Sequence, residues 1–367
     1  MTDYDVIIVG ARCAGSPLAM LLAREGLKVI ALDRDASPCD TLSTAYMQQG
    51  AVRRLNEWGL YERFLATAPA APAVQRNFWE GMEVDPYPAP EGSAHFSPRR
   101  AILDNLLAQA ACEAGAEVRT GVSVLGLIRD GSGRVTGVRT RSEATGEEIA
   151  LTARLVVGAD GRNSLVAKET GAGRYHIVEG RSCTYYSYYR GLPAEDMQVH
   201  FGPDHVVYSM PTHNGEVCLA LESPSANFPQ VREDPRAYVE AAVREYAAEL
   251  APALEHAENT SKWFGMAPRE SFYRVPWGPG WALIGDAGYL KDPVLGTGID
   301  DAFRDAAMLA AAISPALRGE GSLDQALAGF HTERDELTKP LYDLVCEFAR
   351  MEGVTEDMLV RAAEFEL

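Results

Sequence analysis

The chain has 367 residues, 47% of them hydrophobic, and a net charge of −18 from 52 acidic and 34 basic side chains. That length allows one large α/β unit or two merged domains with a sizeable core, and the acidity argues against nucleic acid or an anionic membrane as partner. Six scattered cysteines without a CxxC pair argue against a disulfide or metal framework and suit a reducing, cytoplasmic setting. No signal peptide is expected, and no apolar run approaches the ~20 residues that span a bilayer.

Tyr4 to Val9 is an apolar, β-branched run, the pattern of a buried strand. Residues 14–25 have helical periodicity and stop at Gly26. Val29 to Leu32 is a second buried strand, ending in Asp33-Arg34. This β–turn–α–β unit has the size of a nucleotide-binding element. A helix is predicted over 48–57, a Pro-rich stretch over 69–90, a helix over 99–114 and a strand near 117–119. Strands with turns at 130–133 and 145–146 fill 122–151, and Ala153 to Gly158 reads as another buried strand. From 181 to 222, aromatic and β-branched runs predict antiparallel sheet. A helix over 234–250 interrupts it, and strands near 261–275 resume it. Trp281 to Ile284 returns to the parallel-strand pattern, and helices are predicted after 297, including 322–348 and 354–366.

The turn Gly10-Ala11-Arg12-Cys13-Ala14-Gly15 holds the first and third glycines of GxGxxG. The first permits the tight exit from the strand, and the third lets helix and strand pack closely. The helix start then offers free N–H groups and partial positive charge to a pyrophosphate. Arg12 replaces the middle glycine; its Cβ would crowd the pyrophosphate unless the guanidinium reaches toward it. Asp33, 18 residues after Gly15, is placed to accept from both ribose hydroxyls of an adenosine. It would repel a 2′-phosphate, so the nucleotide expected here is FAD or NAD rather than NADP.

Two further segments carry a resemblance. One is Val157-Gly158-Ala159-Asp160-Gly161-Arg162-Asn163-Ser164. The other is Gly285-Asp286-Ala287-Gly288-Tyr289 followed by Pro293, Gly296, Thr297 and Gly298. With the glycine turn, they make the chain resemble the FAD-dependent monooxygenases of the para-hydroxybenzoate hydroxylase type. This class A flavoprotein superfamily also includes flavin-dependent halogenases and geranylgeranyl-reductase-like enzymes. The resemblance runs to about residue 320. It implies that Asp160 and Gly161 lie near the FAD pyrophosphate in a segment also implicated in NAD(P)H binding. It implies that Asp286 accepts from the ribityl and phosphate region, and that the loop through Pro293, Gly296 and Gly298 approaches the isoalloxazine. The helix starting near Thr297 would stabilise the reduced, anionic ring. Arg100 with Leu103 fits the family's R-x-x-L helix start, where the Arg contacts FAD, although Arg99 is adjacent. Tyr289 stands where the family has His. The loop from Asp40 to Gln49 resembles a segment passing the flavin ring, with Cys39 and Thr44 close to it. His213 and His331 read as loop and helix-surface residues.

The implied fold is α/β: a Rossmann-like FAD-binding domain of discontinuous segments (1–70, 99–175, 277–320). An antiparallel-sheet substrate domain (71–98, 176–276) is inserted, and C-terminal helices (321–367) follow, packing on the nucleotide domain or forming a dimer contact. The implied cofactor is FAD, with NAD(P)H as a transiently bound reductant, since no second glycine-rich nucleotide unit offers it a dedicated domain. A partner flavin reductase is the alternative electron source. The implied reaction is hydroxylation of a small, aromatic or polyketide-like molecule through a flavin hydroperoxide. Tyr188 and Tyr208, among the sheet's tyrosines, are the candidates for the substrate side; their alternation along strands leaves open which tyrosines face the pocket. A halogenase is a rival reading. Its W-x-W-x-I-P motif is missing, Trp263, Trp277 and Trp281 being wrongly spaced, and Lys291 reads as a solvated loop residue. The other rivals are a reductase of the geranylgeranyl-reductase-like group and a non-enzymatic prenyl-protein carrier.

Overall fold

The computed structural model describes residues 2–37, 39–40, 43, 45–84 and 87–365. Tyr4–Val9 (β1) is apolar at nearly every position because both of its faces are covered. Val6 and Ile8 join the helical core on one side, and Ile7 and Val9 join a second core on the other. Gly15–Arg24 (α1) leads to Val29–Leu32 (β2), which pairs parallel with β1 from Val6–Val29 to Val9–Leu32. Gln49–Glu57 (α2), Val74–Trp79 (β3), Arg100–Glu113 (α3) and Glu117–Arg119 (β4) follow, and β4 extends the parallel sheet beside β2.

Val122–Arg129 (β5) and Val135–Ser142 (β6) form a hairpin closed at the turn predicted over 130–133. The strand expected at Ala153–Gly158 is the second half of one 11-residue strand, Glu148–Gly158 (β7). Its first half pairs antiparallel with β6, and its second half parallel with β1. The change of neighbour explains the change of pattern: residues 148–150 are exposed, and 155–158 are all buried.

The second large sheet is built from Ser182–Arg190 (β8), Met197–Phe201 (β9), Val206–Pro211 (β10) and Glu216–Pro224 (β11). These strands run β8-β11-β10-β9, and β9 then pairs parallel with β3. The helix expected over 234–250 is shorter, Pro235–Tyr246 (α4), and a separate turn at Ala251–Leu254 follows. Ala247 and Leu250 are buried in the break between them. Trp281–Leu283 (β12) returns beside β7. Gly298–Leu317 (α5), Leu323–Phe348 (α6) and Glu356–Ala363 (α7) end the chain. The start of α6 packs on the nucleotide side through Leu327 and Phe330. Its end differs from the expectation: Leu344, Val345 and Phe348 pack against Val199 and Val206 of the second sheet. The helix thus ties the two sheets together. No described helix is long and apolar enough to cross a membrane.

Candidate cofactor and active site

A cleft of about 740 Å³ runs between the carboxyl ends of the parallel strands and the second sheet. Gly10, Arg12, Ala14, Asp33, Arg34, Arg100, Asp160, Gly161, Gly285, Asp286, Pro293, Gly296, Thr297 and Gly298 all line it. Segments 275 residues apart in the chain therefore form one wall. Ala11 and Gly15 stand behind that wall. Gly10 has φ +99°, and a Cβ there would lie 2.4 Å from the Ala159 carbonyl oxygen. A Cβ at Gly15 would lie 1.8 Å from the Gly10 carbonyl oxygen, so neither position admits a side chain without backbone movement.

Asp33 uses Oδ2 to accept from Ala11 N at 3.1 Å and Oδ1 to accept from Asp35 N at 3.0 Å. Both oxygens keep a lone pair toward the cleft. Arg12 pairs with Asp35 and stands 3.8 Å from Asp33. Burial opposes its charge, but Asp104 and Asp33 outweigh burial and hold its pKa above the ordinary value. Cys39 also lines the cleft, its Sγ 3.6 Å from Arg12, near the glycine turn. Thr44 lies outside the described residues.

The neighbouring arginines at the start of α3 separate cleanly. Arg100 lines the cleft and pairs with Asp104 at 3.1 Å, and Asp104 also accepts from Cys13 Sγ. Arg99 turns the other way, to Asp40 and to Glu216 at 2.5 Å, with its guanidinium 3.9 Å from the Tyr188 ring centroid. His213 sits in a turn as expected, but it is buried: its ring nitrogens meet Thr67 Oγ1 at 3.0 Å and Arg99 N at 3.2 Å. His331 is half-buried on α6, 2.9 Å from the Tyr175 hydroxyl.

Two carboxylates face the cleft without a full set of partners. Asp160 accepts from Leu165 N at 2.7 Å through Oδ2, while its buried Oδ1 has no protein partner. Asp286 opens onto the cleft yet is surrounded by protein. Burial raises both pKa values, and Asp301 adds repulsion at Asp286. The Asp160 Oδ1 is sealed off from the cleft, whereas Asp286 opens onto it and can accept from the hydroxyls of a ribityl chain.

The loop after Asp286 rests on a buried charge network. Lys291, expected in solvent, has a side chain only 4% exposed and pairs with Asp301 at 2.7 Å. Arg304 reaches Asp301 at 2.8 Å, Asp305 at 3.1 Å and the Tyr289 hydroxyl. Burial opposes the Asp301 charge, but Lys291 and Arg304 prevail and hold its pKa near 2. Tyr289 is therefore an internal hydrogen-bonding group rather than a solvent-facing substitute for His. Gly296 has φ +63°, and a Cβ there would lie 2.8 Å from the Tyr46 ring. Gly298 is different: a Cβ there would meet no protein atom within 4 Å, at the helix start that lines the cleft. The open carboxylate of Asp286, the open space over Gly298 and the N–H groups of α5 all fit a flavin dinucleotide.

Strand alternation is resolved by packing. Tyr185 and Tyr189 pack under α4 with Val239 and Val243. Tyr186, Tyr188, Met197, Met210 and Cys218 face the opposite way, with Tyr46, Tyr208 and Phe264 against them. Tyr188 is thus on the Tyr46 face of the sheet, under the Arg99 guanidinium and behind the cleft wall, where burial raises its pKa. Tyr208 is on the same face, but its hydroxyl donates to the Val294 carbonyl at 2.7 Å, so it anchors the loop. His200 faces away, stacked on Phe78 at 4.3 Å. Sequence reasoning missed Tyr46 as a separate candidate. It lines the cleft, and its hydroxyl meets Gln75 at 3.1 Å and His95 at 3.4 Å. Its only local signal is its place in the loop after Asp40.

Comparison with known proteins agrees with this geometry. A family model described as an FAD binding domain matches residues 3–344, and the chain belongs to that family of FAD-dependent oxidoreductases. Squalene epoxidase of Schizosaccharomyces pombe is 26% identical over 328 residues, covering 85% of this chain and 70% of that protein. A digeranylgeranylglycerophospholipid reductase of Methanocella arvoryzae is 26% identical over 366 residues, covering 93% of this chain and 85% of that protein. The structure of the myxobacterial chondrochloren halogenase CndH has the same fold, with a TM-score of 0.85 at 19% identity. It covers 99% of this chain and 90% of that one.

Proposed function

We propose that this FAD-dependent oxidoreductase is a monooxygenase that hydroxylates a small, aromatic or polyketide-like molecule, with NAD(P)H as reductant and O2 as oxygen source. The observation that carries the reading is Tyr46, which lines the cleft against Gly296 of the loop and is backed by the aromatic layer of the second sheet. Tyr186 stacks on Phe264 with ring centroids 4.9 Å apart, and Tyr188 meets Tyr186 edge-on at 5.9 Å. Such a layer favours a flat ring and keeps water out. Lys291 is held by Asp301 and does not offer its ammonium to a substrate, which weighs against halogenation.

FAD, when bound and reduced, supplies the activation of O2 for transfer of one oxygen atom. The residues expected to hold it are Gly10, Arg12 and Gly15 at the pyrophosphate turn and Asp33 with Arg34 at the adenosine. Arg100, Asp160, Gly161, Gly285 and Asp286 would lie along the chain between the rings. Pro293, Gly296, Thr297 and Gly298 would lie beside the isoalloxazine. Tyr46, with its hydroxyl between Gln75 and His95, is placed to orient a polar substituent of the substrate.

Anaerobic titration with NADH and with NADPH, followed by visible flavin absorbance, tests the reading. Bleaching, then oxygen uptake with a hydroxylated product on readmission of air, supports it. Bleaching followed by loss of a substrate double bond without oxygen incorporation replaces it with the reductase reading. Absence of bleaching with active reduced flavin assigns the electrons to a partner flavin reductase. Failure to hold FAD overturns the reading.

A further inference from the structure

Two buried carboxyl groups meet where the second sheet touches the flavin loop. Glu222 on β11 is 1% exposed. Asp292 precedes Pro293 in the loop and lines the cleft. Ser182, at the start of β8, stands between them. Its Oγ contacts Glu222 Oε1 and lies 2.6 Å from Asp292 Oδ2. Thr184 Oγ1 donates to Glu222 Oε2 at 2.6 Å, and Val294 N donates to Asp292 Oδ1 at 3.1 Å.

A serine hydroxyl carries one proton and can donate to only one of these two carboxyls. The other contact would press two bare oxygens together unless that carboxyl carries a proton itself. One shared proton satisfies every contact. Glu222 donates to Ser182, Ser182 donates to Asp292, and Thr184 and Val294 N fill the remaining oxygens. The surroundings do not offer a positive charge instead. The titratable neighbours are Tyr208 on β10, Cys346 on α6 and, turned to the α4 side of β8, Cys183, and burial raises all three, leaving them neutral. Among the described residues no cation acts on either carboxyl, and the adjacent Lys291 is committed to Asp301. Burial raises both acids, Asp292 to about 6, and the charge of Asp292 raises Glu222 further.

We propose that Glu222, Ser182 and Asp292 form a relay that stores one proton at neutral pH and delivers it to the flavin end of the cleft. Delivery is a transfer along three oxygens. The Glu222 O–H proton passes to Ser182 Oγ, the Ser182 proton passes to Asp292 Oδ2, and Asp292 releases that proton to an oxyanion formed in the cleft. Glu222 is left as carboxylate and is reprotonated from water by the reverse path. The proton count rests on hydrogen-bond geometry and is independent of the proposed hydroxylation.

Infrared difference spectroscopy of the FAD-loaded protein in H2O and D2O reads the stored proton. Wild type minus Glu222→Gln should show a deuterium-sensitive carboxylic-acid C=O band at neutral pH. Other buried acids cancel in that difference. If Glu222→Gln does not fold, wild type minus Ser182→Ala should show the same band displaced, because its hydrogen-bond acceptor is gone. A flat difference spectrum overturns the shared proton. Delivery is read from the pH profile of flavin reoxidation by O2 after dithionite reduction, without substrate or nicotinamide. Wild type should slow as pH rises and the pair empties. Ser182→Ala should run at that slower rate already at neutral pH and lack the alkaline fall. An unchanged profile in Ser182→Ala overturns the relay, and failure of the hydroxylation reading leaves both results standing.

Discussion

Gly298 is a position where one substitution should act with opposite sign on folding and on cofactor binding. It is the first residue of α5, in helical conformation, and a Cβ there meets no protein atom within 4 Å. Gly298→Ala therefore adds no clash within the protein and narrows the unfolded ensemble. The expected gain is about 0.4–1 kcal/mol, or roughly 1 °C in melting temperature for a chain of this length. The same methyl enters the cleft where the flavin is expected. Losing one close approach at the ring weakens binding by on the order of tenfold, or about 1.4 kcal/mol. Since FAD stabilises the folded chain by mass action, the gap between apo and FAD-loaded melting temperatures should shrink. Thermal melts of both forms, with fluorescence quenching to obtain the FAD Kd, measure the two effects separately. A higher apo melting temperature with unchanged FAD affinity would show that the cofactor does not pass over Gly298. A lower apo melting temperature would refute the open position itself.

Lys291→Met leaves Asp301 buried with one cation fewer, and removing one partner of a buried pair costs about 3–5 kcal/mol; a melting temperature within error of wild type would count against the network beneath the flavin loop. Tyr208→Phe strands the Val294 carbonyl, costing about 1–3 kcal/mol, and should speed FAD release in stopped-flow displacement. The pH dependence has two limbs of opposite sign. Asp301, held near 2 against an ordinary 3.8, contributes stability above about pH 4 that is lost as pH falls through about 2. Asp292, raised to about 6, contributes stability below about pH 4 that is lost as pH rises through about 6. Asp292→Asn should remove the second limb, and melting profiles that overlay from pH 4 to 7 would contradict that assignment.

The parts legible in the amino-acid order are those in which a residue type answers a local demand. Gly10 takes a positive φ beneath the Ala159 carbonyl, Gly15 touches the Gly10 backbone, and the apolar runs of β1 and β2 mark strands covered on both faces. Spacing within 285–298 likewise marks a segment that lines the cleft. Elsewhere the chain's pattern states a set of choices, and packing selects among them. Period-two alternation separates Tyr186 and Tyr188 from Tyr185 and Tyr189, but only the seating of α4 decides which pair packs behind Tyr46. Arg99 and Arg100 are neighbours with equal claims until Asp40, Glu216 and Asp104 take up their positions. Lys291 has the look of a solvated residue because its partner, Asp301, lies one helical turn into α5 and becomes its neighbour only when the loop folds back. Glu222 and Asp292 are 70 positions apart and carry no shared signal. Their link through Ser182 exists only because the second sheet docks its inner face onto the loop, where burial raises the cost of two like charges side by side.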